Sequence, residues 1–277
     1  MASKDQTGSG ALLADLHAIS CALKAFASTT AAEGLEGDNY MLTQQVARYL
    51  LKAARGVLAG KPSKSDISQV LRRFIERRDV GNAFDVLSDD QDLVDAFGWR
   101  VAYLTLEALR HRDEDKRAWN SLLVDFWRLS TAFAQYLVVK TFLEALRDPA
   151  TQASLDQETQ VLLHKQFQLF ALSHLTTHAT EFFACAAATV RQLELARTKR
   201  TLALLGELRP HAVRLVDAWQ FSDWALDSSL GRYDGKVYED MFHRASELNP
   251  STTSSSTLTP SRPPCLGGDT TTEQQHN

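Results

Sequence analysis

The chain has 277 residues, 44% of them hydrophobic and 23% charged, with a formal net charge of −4. That is enough chain for one large or two small cores, and the composition fits a soluble globular protein. The mild acidic excess leaves no electrostatic footprint for nucleic acid or for an anionic membrane, so neither is expected as a partner.

The opening "MASKDQTGSG" lacks the apolar centre of a signal peptide, and residues 1–10 are expected to be disordered. A first helix is expected from Ala11 to Ala32, then a polar turn over Gly34–Asn39, then a helix from Tyr40 to Leu58. "GKPSKSD" reads as a loop ending in an N-cap, Ser65 or Asp66, ahead of a helix that holds Leu71, Phe74 and Ile75. Asp89–Asp92 caps the next helix, which runs through Trp99, Tyr103, Leu106 and Leu109. "HRDEDKR" from His111 reads as a solvated turn or a charged helix surface.

Neither glycine nor proline occurs between Gly98 and Pro149, or between Pro149 and Gly206. Stretches of this kind, rich in Leu, Ala, Gln, Glu and Arg, predict two long helices, Ala118–Leu146 and Asp156–Leu195. Leu122, Phe126, Leu129, Phe133, Tyr136 and Val139 recur three and four apart and form an apolar seam. Leu162, Phe167, Phe170, Leu172 and Leu175 do the same in the second helix, and antiparallel packing buries both seams. No strand-like alternation persists, so the fold class is all-α, a helical bundle. The most apolar window, "FFACAAATV" from Phe182, is far short of a membrane span. Residues 250–277 hold twelve Ser or Thr and four of the seven prolines, and are expected to form a disordered tail.

Three well-separated cysteines make neither a disulfide framework nor a zinc signature, and Cys21 and Cys185 are expected as buried thiols. His174 and His178 are four apart, a spacing that can put two metal ligands on one helix face, with Glu181 as the only obvious third. No carboxylate stands between them, and packed or capping histidines account for the pair better, so no metal site is assigned. Arg72, Arg73, Arg77 and Arg78 form a solvated helix face beside an acidic stretch. No nucleophile elbow, internal repeat or glycine-rich phosphate loop is visible. In "EGLEGDNY", Gly34 ends one helix, Gly37 supplies flexibility, and Asp38 or Asn39 caps the next. Nothing in that reading explains the choice of Glu36.

"LHAISCALKAF" at Leu16–Phe26, "EGDN" with "QQVARYLLKA" at Glu36–Ala53, and "FSDWALDSSLGRYDGKVYEDMF" at Phe221–Phe242 together resemble the C-terminal half of the peroxisomal acyl-CoA oxidases. "AFAQYLVVKTFLEAL" at Ala132–Leu146 is a further match, and "LGRYDGKVYE" looks like the family's terminal signature. The resemblance covers residues 11–249. It implies a bundle like the C-terminal helical domains of acyl-CoA oxidases and acyl-CoA dehydrogenase-like proteins. Residues 11–60 would be the remnant of the helical domain completing the FAD site, and residues 61–249 the C-terminal helical domain.

The resemblance also implies a chemistry: a fatty acyl-CoA and O2 give a trans-2-enoyl-CoA and hydrogen peroxide, with FAD as cofactor, in fatty acid β-oxidation. A carboxylate removes the α-proton while a hydride leaves the β-carbon for the flavin, which calls for an ionised but poorly solvated base. In the family that base lies in an aromatic-Glu-Gly-acid-Asn motif. Glu36 matches it as the catalytic residue, and Gly37, Asp38 and Asn39 match the cofactor-binding loop beside it. Tyr40 stands where the family usually has threonine.

The implied partners are the fatty acyl-CoA and either a second copy of the chain or a full-length acyl-CoA oxidase. The implied compartment is the peroxisome, although "EQQHN" is not the Ser-Lys-Leu address, with the cytoplasm as the other expectation. The family's N-terminal helical domain, its β-domain and a segment ahead of the catalytic loop have no counterpart here. The resemblance thus implies a truncated oxidase, inactive alone and needing the flavin domains. The other expectation is a non-catalytic helical module for dimerisation or interaction, derived from such an oxidase.

Overall fold

A computed structural model describes residues 39–61, 64–77 and 84–248. The expected helix Ala11–Ala32, residues Glu36 to Asp38, the Ser/Thr/Pro-rich tail, Cys21 and Cys265 lie outside the described residues. The described residues are helical, with no strand among them, as the all-α reading requires. They divide into two compact units, residues 1–219 and 220–277.

In the first unit, α1 spans Asn39–Leu58, α2 Asp66–Arg77, α3 Asp90–Asp113 and α4 Leu123–Arg147, the last entered through a tight turn at Trp119–Leu122. A short α5, Pro149–Ser154, leads to α6, Gln157–Thr177. Along α1, Ala47, Leu50, Leu51 and Ala54 repeat at three- and four-residue spacing, and all four are buried. Arg48, on the other side, lies over the Trp119 ring at 5.1 Å. Near the end of α1, Arg55 grips Asp113 at the end of α3 through two 2.8 Å bonds.

Helix α3 is the axis of the bundle and packs against α1, α2 and α4. Asp89 caps it as expected, accepting from the Gln91 and Asp92 amides at 2.7 and 3.0 Å, and those bonds hold its carboxyl below the usual range. Phe97, Val101 and Ala102 are fully buried, and Trp99 packs against Phe74 and Phe84 at 4.7 and 5.6 Å. Each such large apolar side chain contributes about 1.5–3 kcal/mol when removed from water. The charged stretch after α3 is a solvated turn with Lys116 in the left-handed region, φ 54°.

Gly98 lets α4 approach α3. A Cβ there would stand 3.1 Å from the Tyr136 ring and 3.2 Å from a Val70 methyl. Gly98→Ala should therefore lower stability by about 1 kcal/mol, its gain in helix propensity outweighed by overpacking. Gly206 faces open space in the Thr201–Leu208 helix, so Gly206→Ala should raise stability by about 0.5–1 kcal/mol. Opposite shifts in urea midpoint at equal m-value would verify the pair.

By length and composition alone, the helical stretch Trp119–Arg147 is long and apolar enough to cross a membrane, a longer though less apolar window than the one at Phe182. A bundle helix passes the same test, and here Phe126, Leu129, Ala132 and Val139 are fully buried in the core.

The expected single helix Asp156–Leu195 is broken. Helix α6 stops at His178, α7 covers only Ala179–Ala184, and α8 starts afresh at Val190–Leu195. Ala186 turns the chain with φ 57°, its N–H donating to the Phe183 carbonyl at 2.9 Å. The Trp99 indole donates to the Cys185 carbonyl at 3.0 Å and fixes the turn to α3. Ala187 and Ala188 then fit where larger side chains would not, since both are buried in the core. Thr189 and Gln192 form a reciprocal capping box that starts α8. The helical path continues past Leu195 through one wide turn, Ala196–Arg200, into α9, Thr201–Leu208, followed by a tight turn and α10, Ala212–Asp217.

The second unit, over its described residues, has no buried residue at all. Ser222 caps α11, Asp223–Leu226, and Asp227 follows in the left-handed region at φ 41°. Gly235, φ 72°, turns the chain into α12, Val237–His243.

Candidate functional site

Of the four residues singled out for chemistry, Glu36, Gly37 and Asp38 precede the described residues, and Asn39 is the first residue of α1. Helix α1 is firmly seated, its apolar face buried against α3 and α4.

The strongest polar constellation in the bundle includes His174, His178 and Glu181, which the sequence put on one face, and partners that it did not anticipate. Arg100 of α3 is fully buried, and its Nε donates to Glu181 of α7 at 2.6 Å. Its second nitrogen donates to the Gln135 amide oxygen at 2.6 Å, and its guanidinium lies 5.2 Å from the centre of the Phe182 ring. Arg128 of α4 closes on the other Glu181 oxygen through two bonds, 3.0 and 2.8 Å. The Gln135 nitrogen stands 3.2 Å from both His174 Nδ1 and His178 Nε2. Four helices, α3, α4, α6 and α7, are tied together by this one cluster.

The electrostatics follow from burial. Burial pushes the Arg100 pKa down, with Glu181 offsetting part of the loss. Burial pushes the Glu181 carboxyl up, but Arg100 and Arg128 together hold it below its usual value. Burial first and Arg100 second push both His174 and His178 down. A metal would need lone pairs that the cluster already uses. Both histidines face Gln135 and Glu181 is held by two guanidiniums; no group of three or more His, Cys, Asp or Glu among the described residues could hold a metal ion.

The other sequence candidates resolve into structure. Arg73 pairs with Asp95 at 2.9 Å. His164 pairs with Asp90, and Lys140 with Asp66 and Glu144. Cys185 is buried, and burial pushes its thiol up to about 12, so it is an inert core thiol as expected. A cleft of about 220 Å³ between α2, α3 and α4 is walled by Tyr136 and rimmed by the Arg73–Asp95 pair and by Lys140 with Asp66 and Glu144. It lies below the range of about 300–1,000 Å³ usual for small-molecule and cofactor sites.

The "LGRYDGKVYE" motif, in the second unit, is held by its own charges. Arg232 binds Asp234 at 2.5 Å and Asp240 at 3.2 Å, while Arg244 binds Asp240 at 2.7 Å and Asp227 at 2.9 Å. The Ser229 hydroxyl donates to Asp240 at 2.7 Å. The hydrogen bond from Arg232 leads in holding Asp234 down at about 2. With these charges matched to one another, the apolar side chains point away: Trp224, Leu230, Tyr233 and Tyr238 are all at least 80% exposed.

The acyl-CoA oxidase family model matches residues 89–260, a span that contains both the buried cluster and this loop. The chain belongs to the acyl-CoA oxidase family. It is 31% identical to the peroxisomal acyl-coenzyme A oxidase 1 of Rattus norvegicus over 277 aligned residues, covering 84% of this chain and 41% of the relative. Among solved structures, Arabidopsis thaliana acyl-CoA oxidase 1 superposes with a TM-score of 0.67 at 27% identity, over 79% of this chain and 33% of that one. Acyl-CoA oxidase-1 of Caenorhabditis elegans, solved with FAD and ATP, gives 0.65 at 27% identity, again over 79% and 33%. This acyl-CoA oxidase homologue thus spans about two fifths of the length of the curated relatives it matches.

Proposed function

We propose that the chain serves the oxidation of fatty acyl-CoA to trans-2-enoyl-CoA with release of hydrogen peroxide, as the helical part of an acyl-CoA oxidase acting in the peroxisome. The observation that carries this reading is the family match over residues 89–260 together with the "EGDN" motif immediately ahead of α1. Glu36 is the proposed base for the α-proton, and Gly37, Asp38 and Asn39 the loop beside the cofactor. FAD, when bound, supplies the acceptor for the hydride. Asn39 opens α1, whose apolar face is buried in the core, and a base gains rate where its orientation is fixed. The remaining walls of the flavin and acyl-CoA pocket would come from segments like those that the relatives carry outside the matched span, in a dimer or mixed complex. The exposed aromatic loop of the second unit suits such an association.

The test is peroxide release from a fatty acyl-CoA by the chain mixed with FAD and the N-terminal portion of a full-length relative. The expected result is turnover that Glu36→Gln lowers by about 10²–10⁴-fold. A mixed complex whose turnover ignores Glu36→Gln would place the base elsewhere, and failure of the two parts to associate would remove the assembly.

A further inference from the structure

His178 is the joint between α6 and α7. Its backbone sits at φ −108°, ψ 29°, its N–H donates to the His174 carbonyl at 3.0 Å, and its carbonyl accepts from the Glu181 amide at 2.9 Å. Its side chain shares Gln135 with His174.

The hydrogen-bond directions here are forced. A guanidinium only donates, so the Gln135 oxygen is committed to Arg100 and its NH2 is turned to the two histidines. An NH2 needs acceptors. His174 Nδ1 and His178 Nε2 must both be unprotonated, with the ring hydrogens on His174 Nε2 and His178 Nδ1. A proton added to either imidazole sets donor against donor. It does so beside two guanidiniums and a single carboxylate: Arg100 from α3, Arg128 from α4 and Glu181 from α7. The Cys185 thiol beyond stays neutral. Phe170 of α6 meets the His174 ring edge-on at 4.5 Å and offers it no charge. The contacts that tie α6 to the helical path after α8, Lys165–Glu207 at 3.0 Å and Arg200–Gln168 at 2.6 Å, lie further back along α6.

We propose that the α6–α7 joint is a proton-operated hinge: proton uptake by His174 or His178 breaks the hydrogen bonds that the two rings share with Gln135 and loosens residues 178–184 at the joint. The sign follows from the environment. Both folded values are held below the ordinary 6.5, by burial and then by Arg100. The stability the pair contributes is complete above pH 6.5 and is lost as pH falls from there through the folded values. The Trp99–Cys185 bond and the Arg100–Glu181 pair hold the far side of the joint to α3, so the Gln135 bonds are the part of the clasp that a proton can undo.

The experiment is amide hydrogen exchange from about pH 7.5 to about 5.5, corrected for the chemical exchange rate, with imidazole NMR on the same chain. Protection in residues 178–184 should fall by up to about tenfold per pH unit for each proton taken up, while residues 42–57 of α1 change little. The double variant His174→Asn with His178→Gln keeps an acceptor oxygen near each nitrogen's place and cannot titrate, so its profile should be flat. The NMR readout decides even where that variant does not fold. It should give both midpoints below 6.5 and ring hydrogens on His174 Nε2 and His178 Nδ1. A pH-flat profile in the unaltered chain, equal pH dependence in the variant, or imidazoles titrating at or above 6.5 would overturn the hinge.

Discussion

Glu181→Gln is expected to lower the unfolding free energy by about 3–5 kcal/mol, the largest effect of any single change outside the apolar core. Arg100 is only 1% exposed at its side chain and Glu181 11%, so the substitution leaves a guanidinium out of water with no counter-charge. Arg128 loses its partner too, but at 46% exposure water solvates it. The cost arises from the stranded charge rather than from the worth of the pair, and this separates two variants. Taking out both charges with Arg100→Met and Glu181→Gln together should recover at least about 1 kcal/mol relative to the single change. Urea midpoints at constant m-value measure both. A single variant as stable as the parent would mean that the pair contributes nothing and that water reaches Arg100.

Phe97→Ala is expected to cost a further class of energy, about 3–5 kcal/mol, through the cavity it opens. Phe97 is fully buried at the centre of α3 and meets the Phe182 ring edge-on, with centroids 4.9 Å apart at 70°. Phe182 belongs to α7, so the loss is felt across the break that the Ala186 turn creates. Phe97→Leu keeps most of the volume and should cost less than about 1.5 kcal/mol. Thermal unfolding followed by near-ultraviolet circular dichroism distinguishes them, since equal losses for both variants would argue against a cavity effect.

Local signals in the sequence were sufficient wherever a helix announces itself locally. The Asp89 side chain bonds adjacent backbone as expected, and the helix start at Asp66 and the end of α1 at Leu58, two residues before Gly60 at φ 69°, fall within a residue of the sequence reading. The seams were legible because burial imposes the helical period: Phe126, Leu129, Tyr136 and Val139 are buried as their spacing requires. The break between 178 and 189 was not read because glycine and proline served as the only punctuation. Thr189 with Gln192 three residues on was the missed local signal.

The spacing of His174, His178 and Glu181 was read from the sequence, but the partners that Arg100, Arg128 and Gln135 supply have no local signature. The paired residues are 35, 53 and 81 residues apart, and only the fold brings them together. One clue was available: Arg100 is the only charged residue between Asp95 and Glu107, in the middle of an apolar stretch. The family itself was legible in motifs, above all "LGRYDGKVYE", whose Arg232 pairs with Asp234 inside the motif and with Asp240 just beyond it. The proposed base was legible only by resemblance, since a glutamate in a polar turn carries no chemistry until a pocket surrounds it.

The most direct measurement of the central claim is the visible spectrum of the purified protein after desalting. It is taken once with FAD alone and once with FAD and the flavin-domain portion of a full-length relative. The account predicts that flavin absorbance is retained in the mixed sample and bleaches when a fatty acyl-CoA is added without oxygen. A mixed complex that keeps no flavin, or keeps flavin that a fatty acyl-CoA leaves oxidised, would contradict it.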